Sequence, residues 1–507
     1  MTATENRSHL AEAEVAGGTK HKLDQPVSKE NIIIDGVLRY PKNGLKAIIV
    51  GGGIAGLFVA MECWRKGLDV EVLERDSGLS ALGDVVGIGP SAWVTLHRYP
   101  TMLQEYNRIG NNSRWRACAA DGTTVDLMEE YEYNLPGVAQ HAAYPLYVKS
   151  VMVRSQLAKM LQDQCHRLGI PINYGVTITQ YEEKEKVATA ISTDGRRFTG
   201  DVVIAADGVG TKSHAAVLGK PTRAMSSGYI AFRAAIPMSA LSDAPKTMNL
   251  IDELKGRPEN RIYSGNDGHH HIVALLPQPA QQVIAIILSV KDDGLGTESW
   301  SAAVSTEQVR QEMGNLENLD PIFGELIKCV PGGKFVKWPL VMRDPQPQWT
   351  SPGGRIVQVG DAAHSFLPTS GSGACTAMEG CLSLAECLRL GGKDGVGIAT
   401  KVHEKLRFQR TSVIQKMGIS NRSEIVANLS VNVVSQGKWL WSHNSELYAT
   451  ENFQKARAHI EHGASFENTN MPPGHKFSDW TLADESARAI DGVFVQDLKT
   501  NGDWSIY

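Results

Sequence analysis

Hydrophobic residues follow three rhythms along this chain. The runs Lys46-Ala47-Ile48-Ile49-Val50, Val70-Glu71-Val72-Leu73-Glu74 and Asp201-Val202-Val203-Ile204-Ala205-Ala206 predict strands, the last so continuously apolar that it belongs in a parallel sheet covered on both faces. Helical patterning follows over Ile54 to Lys66, stopped at Gly67, and again from about Val151 to Gly169, with Leu157, Met160 and Leu161 on one face. Further helices are expected over Ala374–Leu390 and Val402–Ile419. Between 223 and 345 the texture changes. Tyr229–Ile236, His271–Leu276 and Val283–Leu288 read as strands separated by Gly, Asp, Pro and Gln turns, the pattern of an antiparallel sheet. An α/β texture returns at Arg355-Ile356-Val357-Gln358-Val359.

The expected fold is therefore α/β. A Rossmann-like nucleotide-binding domain (45–222 and 346–400) carries an inserted antiparallel-sheet substrate domain (223–345). A polar N-terminal arm (1–44), mobile or surface-hugging over its first 36 residues, precedes it, and a helical C-terminal region (401–507) follows.

Composition narrows the class. The 507 residues are 42% hydrophobic and 21% charged with a formal net charge of −4, ordinary for a globular protein and unlike a nucleic-acid binder. No apolar run is long enough to span a membrane. The first 30 residues show no secretory h-region, so a cytoplasmic location is expected. Seven scattered cysteines without CxxC spacing read as buried free thiols in a reducing compartment; Cys375, Cys381 and Cys387 recur every six residues, which spreads them around one helix. Nothing in the sequence specifies an oligomeric state.

The chemistry concentrates in two motifs. Gly51-Gly52-Gly53-Ile54-Ala55-Gly56 lies between a strand and a helix. Gly51 allows the tight turn, Gly53 allows a diphosphate to approach the backbone, and Gly56 allows the helix to pack on the strand. The diphosphate rests on the helix N-terminus, with Ile54 and Ala55 opening that helix. Glu74, 23 positions after Gly51, ends the next strand where an acid accepts ribose hydroxyls. The second motif is Gly360-Asp361-Ala362-Ala363-His364, running on through Pro368 and Gly371-Ser372-Gly373 to Ala374. A strand delivers Asp361 at its carboxyl end, where open α/β sheets bind ligands, and the following helix N-terminus offers free N–H groups. Asp361 could equally serve as a helix N-cap, and backbone packing is the simpler role for His364.

These motifs, with Asp207-Gly208 between them, resemble the group A flavoprotein monooxygenases, the para-hydroxybenzoate hydroxylase superfamily, and most closely its salicylate-hydroxylase-like branch in fungal secondary metabolism. The resemblance covers residues 45 to about 420. It implies FAD as cofactor, its diphosphate on Gly51 to Gly56, with Glu74, Arg75 and Gly87 as further cofactor-binding residues. Arg154 is a further contact. Asp207 lies near both flavin and pyridine nucleotide, Asp361 meets the ribityl chain, and Pro368, Gly371, Gly373 and Ala374 line the loop and helix that follow. It implies NADPH or NADH as co-substrate, and hydroxylation of an aromatic, phenolic or polyketide-derived small molecule by O2 through a flavin C4a-hydroperoxide. Two departures stand out. Thr211-Lys212 replaces a frequent Ser-Arg pair, and Gly371-Ser372-Gly373 replaces Gly-Gln-Gly, which removes a glutamine contact.

Three residues are catalytic candidates. Arg233 lies inside an apolar strand, where a guanidinium needs a partner or a ligand, and the resemblance implies that it holds a substrate phenolate; alternatively it points outward to a surface acid. Tyr263 and His271 are candidates for proton transfer, or simply packed sheet residues. His269-His270-His271 looks like a metal cluster, but strand alternation puts at most two on one face, and no metal is expected. Other expectations kept open are an FAD-dependent epoxidase of an isoprenoid or indole, and a flavin dehydrogenase or reductase that does not activate oxygen. The single GxGxxG unit weighs against a reductase with its own second nucleotide fold.

Overall fold

The computed structural model describes residues 31–79, 85–138, 147–254, 256–264, 272–278, 282–292, 302–314, 319–428, 436–485 and 497–507. Its centre is a five-stranded parallel sheet in the order Ile356–Gln358, Val202–Ala205, Lys46–Val50, Asp69–Leu73 and Ile172–Asn173. Ile48, Ile49, Val203 and Ile356 are fully buried there, as strands covered on both faces require. The Ile54–Arg65 helix follows the first strand, and its chain turns away through Gly67 at φ +88. A three-stranded sheet (Ile178–Glu183, Ala188–Ser192, Arg197–Gly200) packs on one side through Val176, Ala188 and Ala190.

The second body is an eight-stranded sheet in the order Ala302–Ser305, Lys334–Met342, Met225–Pro237, Val283–Lys291, Ile272–Gln278, Glu259–Ser264, Arg114–Ala119 and Thr124–Met128. Its pairing is antiparallel except between Glu259–Ser264 and Arg114–Ala119. The sheet thus crosses the expected 223–345 boundary. Two strands come from 114–128, where Arg114, Arg116 and Asp126 hide the strand pattern in sequence, and Glu259 pairs with Arg114 and Arg116 across that joint. One face is covered by the helices Thr306–Met313 and Ile322–Lys328, which bury Phe232, Ile286, Leu288, Val309, Phe323 and Leu326.

Two local expectations are corrected. Val151–Val153 is a strand paired with Val85–Gly87, and the helix begins only at Arg154. Residues 31–44 are not a loose arm: Ile32–Ile34 and Val37–Arg39 form a hairpin around Asp35-Gly36, both at positive φ, as a two-residue turn demands. Arg39 then donates to the Trp64 and Leu68 carbonyls and fixes the hairpin to the end of the first helix.

The C-terminal region is built on the Gly373–Gly391 helix, against which the helices Val396–Asn428 and Ser445–His462 pack. Two buried ion clusters hold it. Arg65 and Lys66 bind Glu446, with Glu62 on Arg65 and Glu386 on Lys66. Arg407 and Arg410 bind Glu379. Trp439 packs edge-on to Trp504, and the Trp480 Nε1 donates to Ser412. All seven cysteines are free.

Candidate active site

The first motif is backbone packed against backbone. Gly51 has φ +104, and a Cβ there would lie 2.5 Å from the Ala206 carbonyl oxygen. A Cβ on Gly56 would overlap the Gly51 carbonyl oxygen itself. Gly53, the N-cap of the helix, is the opposite case, since a Cβ on it would meet nothing within 4 Å. Open space over the first N–H groups of a helix is what a diphosphate needs. Glu74 reaches back into this turn, accepting from the Gly52 N–H at 2.5 Å. Arg75 sits at the exposed rim beside Asp76, 3.4 Å away.

The other cofactor residues converge on the same place. Gly360, at φ +60, is seated so that a Cβ would lie 3.1 Å from Ala55 Cβ and 3.5 Å from Ala377 Cβ, between the two helices that begin at the two motifs. The Cys381 thiol donates to the Ala55 carbonyl. Asp361 stands half-buried next to them, in a short 3₁₀ turn over Gly360–Ala362. It caps no helix: Ser372, eleven positions on, holds the N-cap place of the next one. Burial pushes the Asp361 carboxyl up, and the charges of Arg154 and Arg343 offset this only in part. The carboxylate accepts no hydrogen bond among the described residues. A desolvated acceptor with spare lone pairs suits the hydroxyls of a ribityl chain.

Pro368 opens the turn Pro368–Ser370, Gly371 follows at φ +58, and Gly373 and Ala374 begin the long helix. Gly87 is held beside this turn, its Cβ position 3.6 Å from the Gly371 carbonyl oxygen. The glutamine that this loop lacks in its own sequence arrives from elsewhere: Gln436 donates to the Ser370 carbonyl at 2.9 Å and accepts from Ser372 at 3.2 Å. Glu132 positions it by accepting from the N–H groups of Gln436 and Gly437. Nothing in the local sequence signalled this brace.

Asp207 lies beside the first motif. Its carboxylate accepts from the Tyr181 hydroxyl at 2.8 Å, and burial raises its pKa. What meets the first motif is the backbone of Ala206 and Asp207, not the carboxylate. Burial holds His364 at a pKa of about 3, so it is neutral, and its ring packs 5.2 Å from Trp349 and 5.3 Å from Phe366.

The eight-stranded sheet sorts the catalytic candidates by face. Tyr229, Ala231 and Arg233 alternate with Ile230 and Phe232 along one strand. Phe232 belongs to the helix-covered core, whereas Tyr229 and Ala231 pack with Trp338, Leu340, Ile287 and Leu367 on the other face. Leu367 comes from the loop that follows Asp361, so this face looks onto the cofactor loop. Arg343, at the end of the neighbouring strand, locks the two bodies together: its N–H donates to Ser365 and its guanidinium to the Val209 carbonyl. Arg233 is buried on this face, its guanidinium 4.3 Å above the Trp338 ring. The outward, surface-paired alternative for Arg233 is excluded by that burial.

Tyr263 is on the wrong side. It is fully buried in the helix-covered core, 4.8 Å edge-to-face with Phe323, with its hydroxyl directed to Asp320 at 3.3 Å. Its catalytic assignment is corrected, because strand alternation turns it away from the Arg233 face. His269, His270 and His271 lie outside the described residues. Among the described residues no cluster of His, Cys, Asp or Glu is arranged to hold a metal, and no helix is long and apolar enough to cross a membrane.

A parallel sheet with a glycine-built dinucleotide cradle, joined to a large sheet whose open face meets the cradle's loop, defines a Rossmann-type flavoprotein with a separate substrate-facing domain. The chain belongs to the FAD-binding-domain family, whose model matches residues 45–393, and it is an FAD-dependent monooxygenase. It is 34% identical to the FAD-dependent monooxygenase fsr3 of Gibberella fujikuroi over 96% of this chain and 94% of that one. It is also 34% identical to the FAD-dependent monooxygenase mdpD of Emericella nidulans, over 92% of each chain. Among solved structures it is similar to CtdE in complex with FAD (26% identity, TM-score 0.69, 82% of this chain and 99% of that one). It shares the fold of a salicylate hydroxylase substrate complex (21% identity, TM-score 0.62, covering 80% and 98%).

Proposed function

We propose that this monooxygenase uses NADPH or NADH to hydroxylate a phenolic, polyketide-derived aromatic in fungal secondary metabolism. The balance is one aromatic C–H, one O2, one NAD(P)H and one proton giving the phenol, NAD(P)+ and water. FAD, when bound, supplies the activated oxygen. The single observation that carries the proposal is Arg233, a buried guanidinium over Trp338 on the sheet face that meets the cofactor loop. A cation in a dry pocket favours an ionised phenol, and a phenolate ring is far more electron-rich than the phenol. Trp338, Ile287 and Leu340 provide the flat apolar floor that keeps water away and holds the ring in one orientation. Gly53, Glu74, Arg154 and Asp361 would hold the cofactor, while Asp207 supports the turn from behind.

NAD(P)H oxidation, O2 uptake and product formation are followed for a panel of phenols, naphthols and hydroxyanthraquinones. Arg233→Gln is expected to keep FAD but to cut product formation by about 10²-fold or more, the usual scale for a preorganised charge. Arg233→Lys recovers only part, because a point charge replaces a planar fork. Turnover by Arg233→Gln at the wild-type rate and coupling overturns the proposal.

A further inference from the structure

The sheet face that carries Arg233 carries a second guanidinium. Arg422, from the last described turns of the Val396–Asn428 helix, lies 3.7 Å over the ring of Tyr229, and its Nη1 donates to the Ser227 carbonyl at 3.1 Å. The helix is placed by bonds to the cofactor loop. Thr369 donates to the Gly418 carbonyl, Gln415 to the Ser365 carbonyl and Asn421 to the Thr369 carbonyl. Ile419 of the same helix joins Tyr229, Trp338 and Leu340 on the sheet face. Arg422 is therefore fixed to the loop and the sheet together.

The two cations stand at different levels of one strand. Arg422 is at Tyr229, Arg233 is four residues further on, and Trp338, on which Arg233 leans, pairs with Ala231. At a strand rise of about 3.3 Å per residue the two heads are separated by roughly 7 to 13 Å along the face. Between them lie Ala231 and Trp338, with Ser289 opposite Ala231 and Ile287 beside Arg233. Burial lowers the pKa of Arg422, and Tyr229 works against that; a guanidinium stays charged under such conditions, and it has five N–H donors with which to meet an oxygen anion.

We propose that Arg422 is a second substrate-binding residue, and that the substrate is a one- or two-ring aromatic with acidic oxygens at opposite ends: one end on Arg233, the other on Arg422, the rings on the apolar floor. This deepens the proposed function and rests on it. One or two rings with acidic oxygens at opposite ends, lengthened by a hydrogen bond of about 2.8 Å at each end, cover that span, and three fused rings exceed it.

The test uses the FAD-loaded full chain and two probes on one ring system, 2,6-dihydroxynaphthalene, acidic at both ends, and 2-naphthol, acidic at one. Dissociation constants are measured by quenching of protein and flavin fluorescence. The wild type is expected to prefer the two-ended ligand by about ten- to a hundredfold, the scale of one charge-assisted hydrogen bond. Arg422→Gln should abolish that preference, leave binding of the one-ended ligand within about twofold, and keep its flavin and melting temperature. Arg422→Lys should keep part of the preference. An Arg422→Gln protein that retains the full preference, or that weakens both ligands equally, overturns the inference and leaves Arg422 as a helix tether. Failure of the wild type to bind either ligand overturns the substrate class beneath it. Binding that depends on Arg233 but not on Arg422 overturns only the present inference.

Discussion

The cofactor cradle and the substrate face are built from different material. The cradle is backbone: Gly51 against Ala206, Gly56 against Gly51, Gly360 between Ala55 and Ala377. Each contact is specified by one residue type that has no substitute, because any Cβ would collide or a positive φ would strain it. The proposed substrate face is side chains on a sheet: Tyr229, Arg233 and Trp338, brought together by register across strands more than a hundred residues apart in sequence. A backbone site tolerates no change and advertises itself as glycine spacing. A side-chain site can be rewritten residue by residue without disturbing the fold, which is how one cradle serves many substrates.

The sharpest way to break this contrast is a pair of glycine variants. Gly53→Val adds side chain into space that is empty of protein, so the chain should fold normally and lose FAD, giving colourless protein with an unchanged apoprotein melting temperature. Gly56→Ala drives a Cβ into the Gly51 carbonyl and should damage folding and flavin binding together. Flavin content and thermal melts of the apoproteins distinguish them. Full flavin in Gly53→Val would show that the diphosphate lies elsewhere.

Acid provides a second separation. Burial, reinforced by Arg407, holds His364 and His403 at about 3, and burial with Arg410 holds His443 well below the usual histidine range. A histidine whose folded pKa lies below its unfolded value adds stability that is complete above about 6.5 and is lost as pH falls toward the folded value. Glu446 and Glu379 act with the same sign. Burial alone would raise them, but the paired arginines and, at Glu446, Lys66 win and hold both low, so their contribution disappears as pH falls through the range below 4.5. His403, His443, Glu379 and Glu446 lie in the packing of the C-terminal helices, and His364, in the second motif, packs on Trp349 beside His403. Melting temperature and bound flavin should fall together from about pH 6.5 downward, while the apolar helix-covered sheet core keeps its protection against hydrogen exchange longest. Equal loss of protection in both bodies would remove the distinction.

Asp361→Ala is expected to be milder. It deletes one acceptor without opening the fold, and should weaken FAD by about ten- to a hundredfold, the scale of one or two charge-assisted bonds. An equilibrium titration of the apoprotein with FAD measures it. Unchanged affinity would leave Asp361 without a role at the ribityl chain.

The sequence displayed the parallel strands, both glycine motifs, the 374–390 helix and the antiparallel texture of 223–345, because these depend on local composition and period. It concealed whatever depends on partners. Arg114, Trp115 and Arg116 do not look like a sheet strand until Glu259 is placed across from two of them. The hairpin at Ile32–Arg39 carries its Asp35-Gly36 turn signal in the sequence, but its anchor, a set of distant carbonyls, does not show there. Glu62, Glu379, Glu386 and Glu446 would pass for solvated helix faces, yet all are buried with cations. Gln436 braces the 370–372 turn from 64 positions beyond Ser372. Above all, whether Tyr263 shares a face with Arg233 is a question of register, and neighbouring residues along the chain do not answer it.

Tyr263→Phe tests that last point with the smallest expected effect. The hydroxyl reaches Asp320 at 3.3 Å and also meets the Arg261 side chain, while the ring packs on Phe323. The ring is kept by the substitution, and Asp320 keeps its bond from the Ile322 N–H. The loss should be about 0.5–1.5 kcal/mol of stability at most. Because the side chain points into the helix-covered core, kcat, KM and coupling should stay within about twofold of wild type, whereas any change at Arg233, on the other face, strikes turnover. A folded, FAD-loaded Tyr263→Phe protein with a large loss of product formation would mean that the two faces of the sheet communicate or that Tyr263 reaches the substrate. The division between a packing face and a chemical face would then fail.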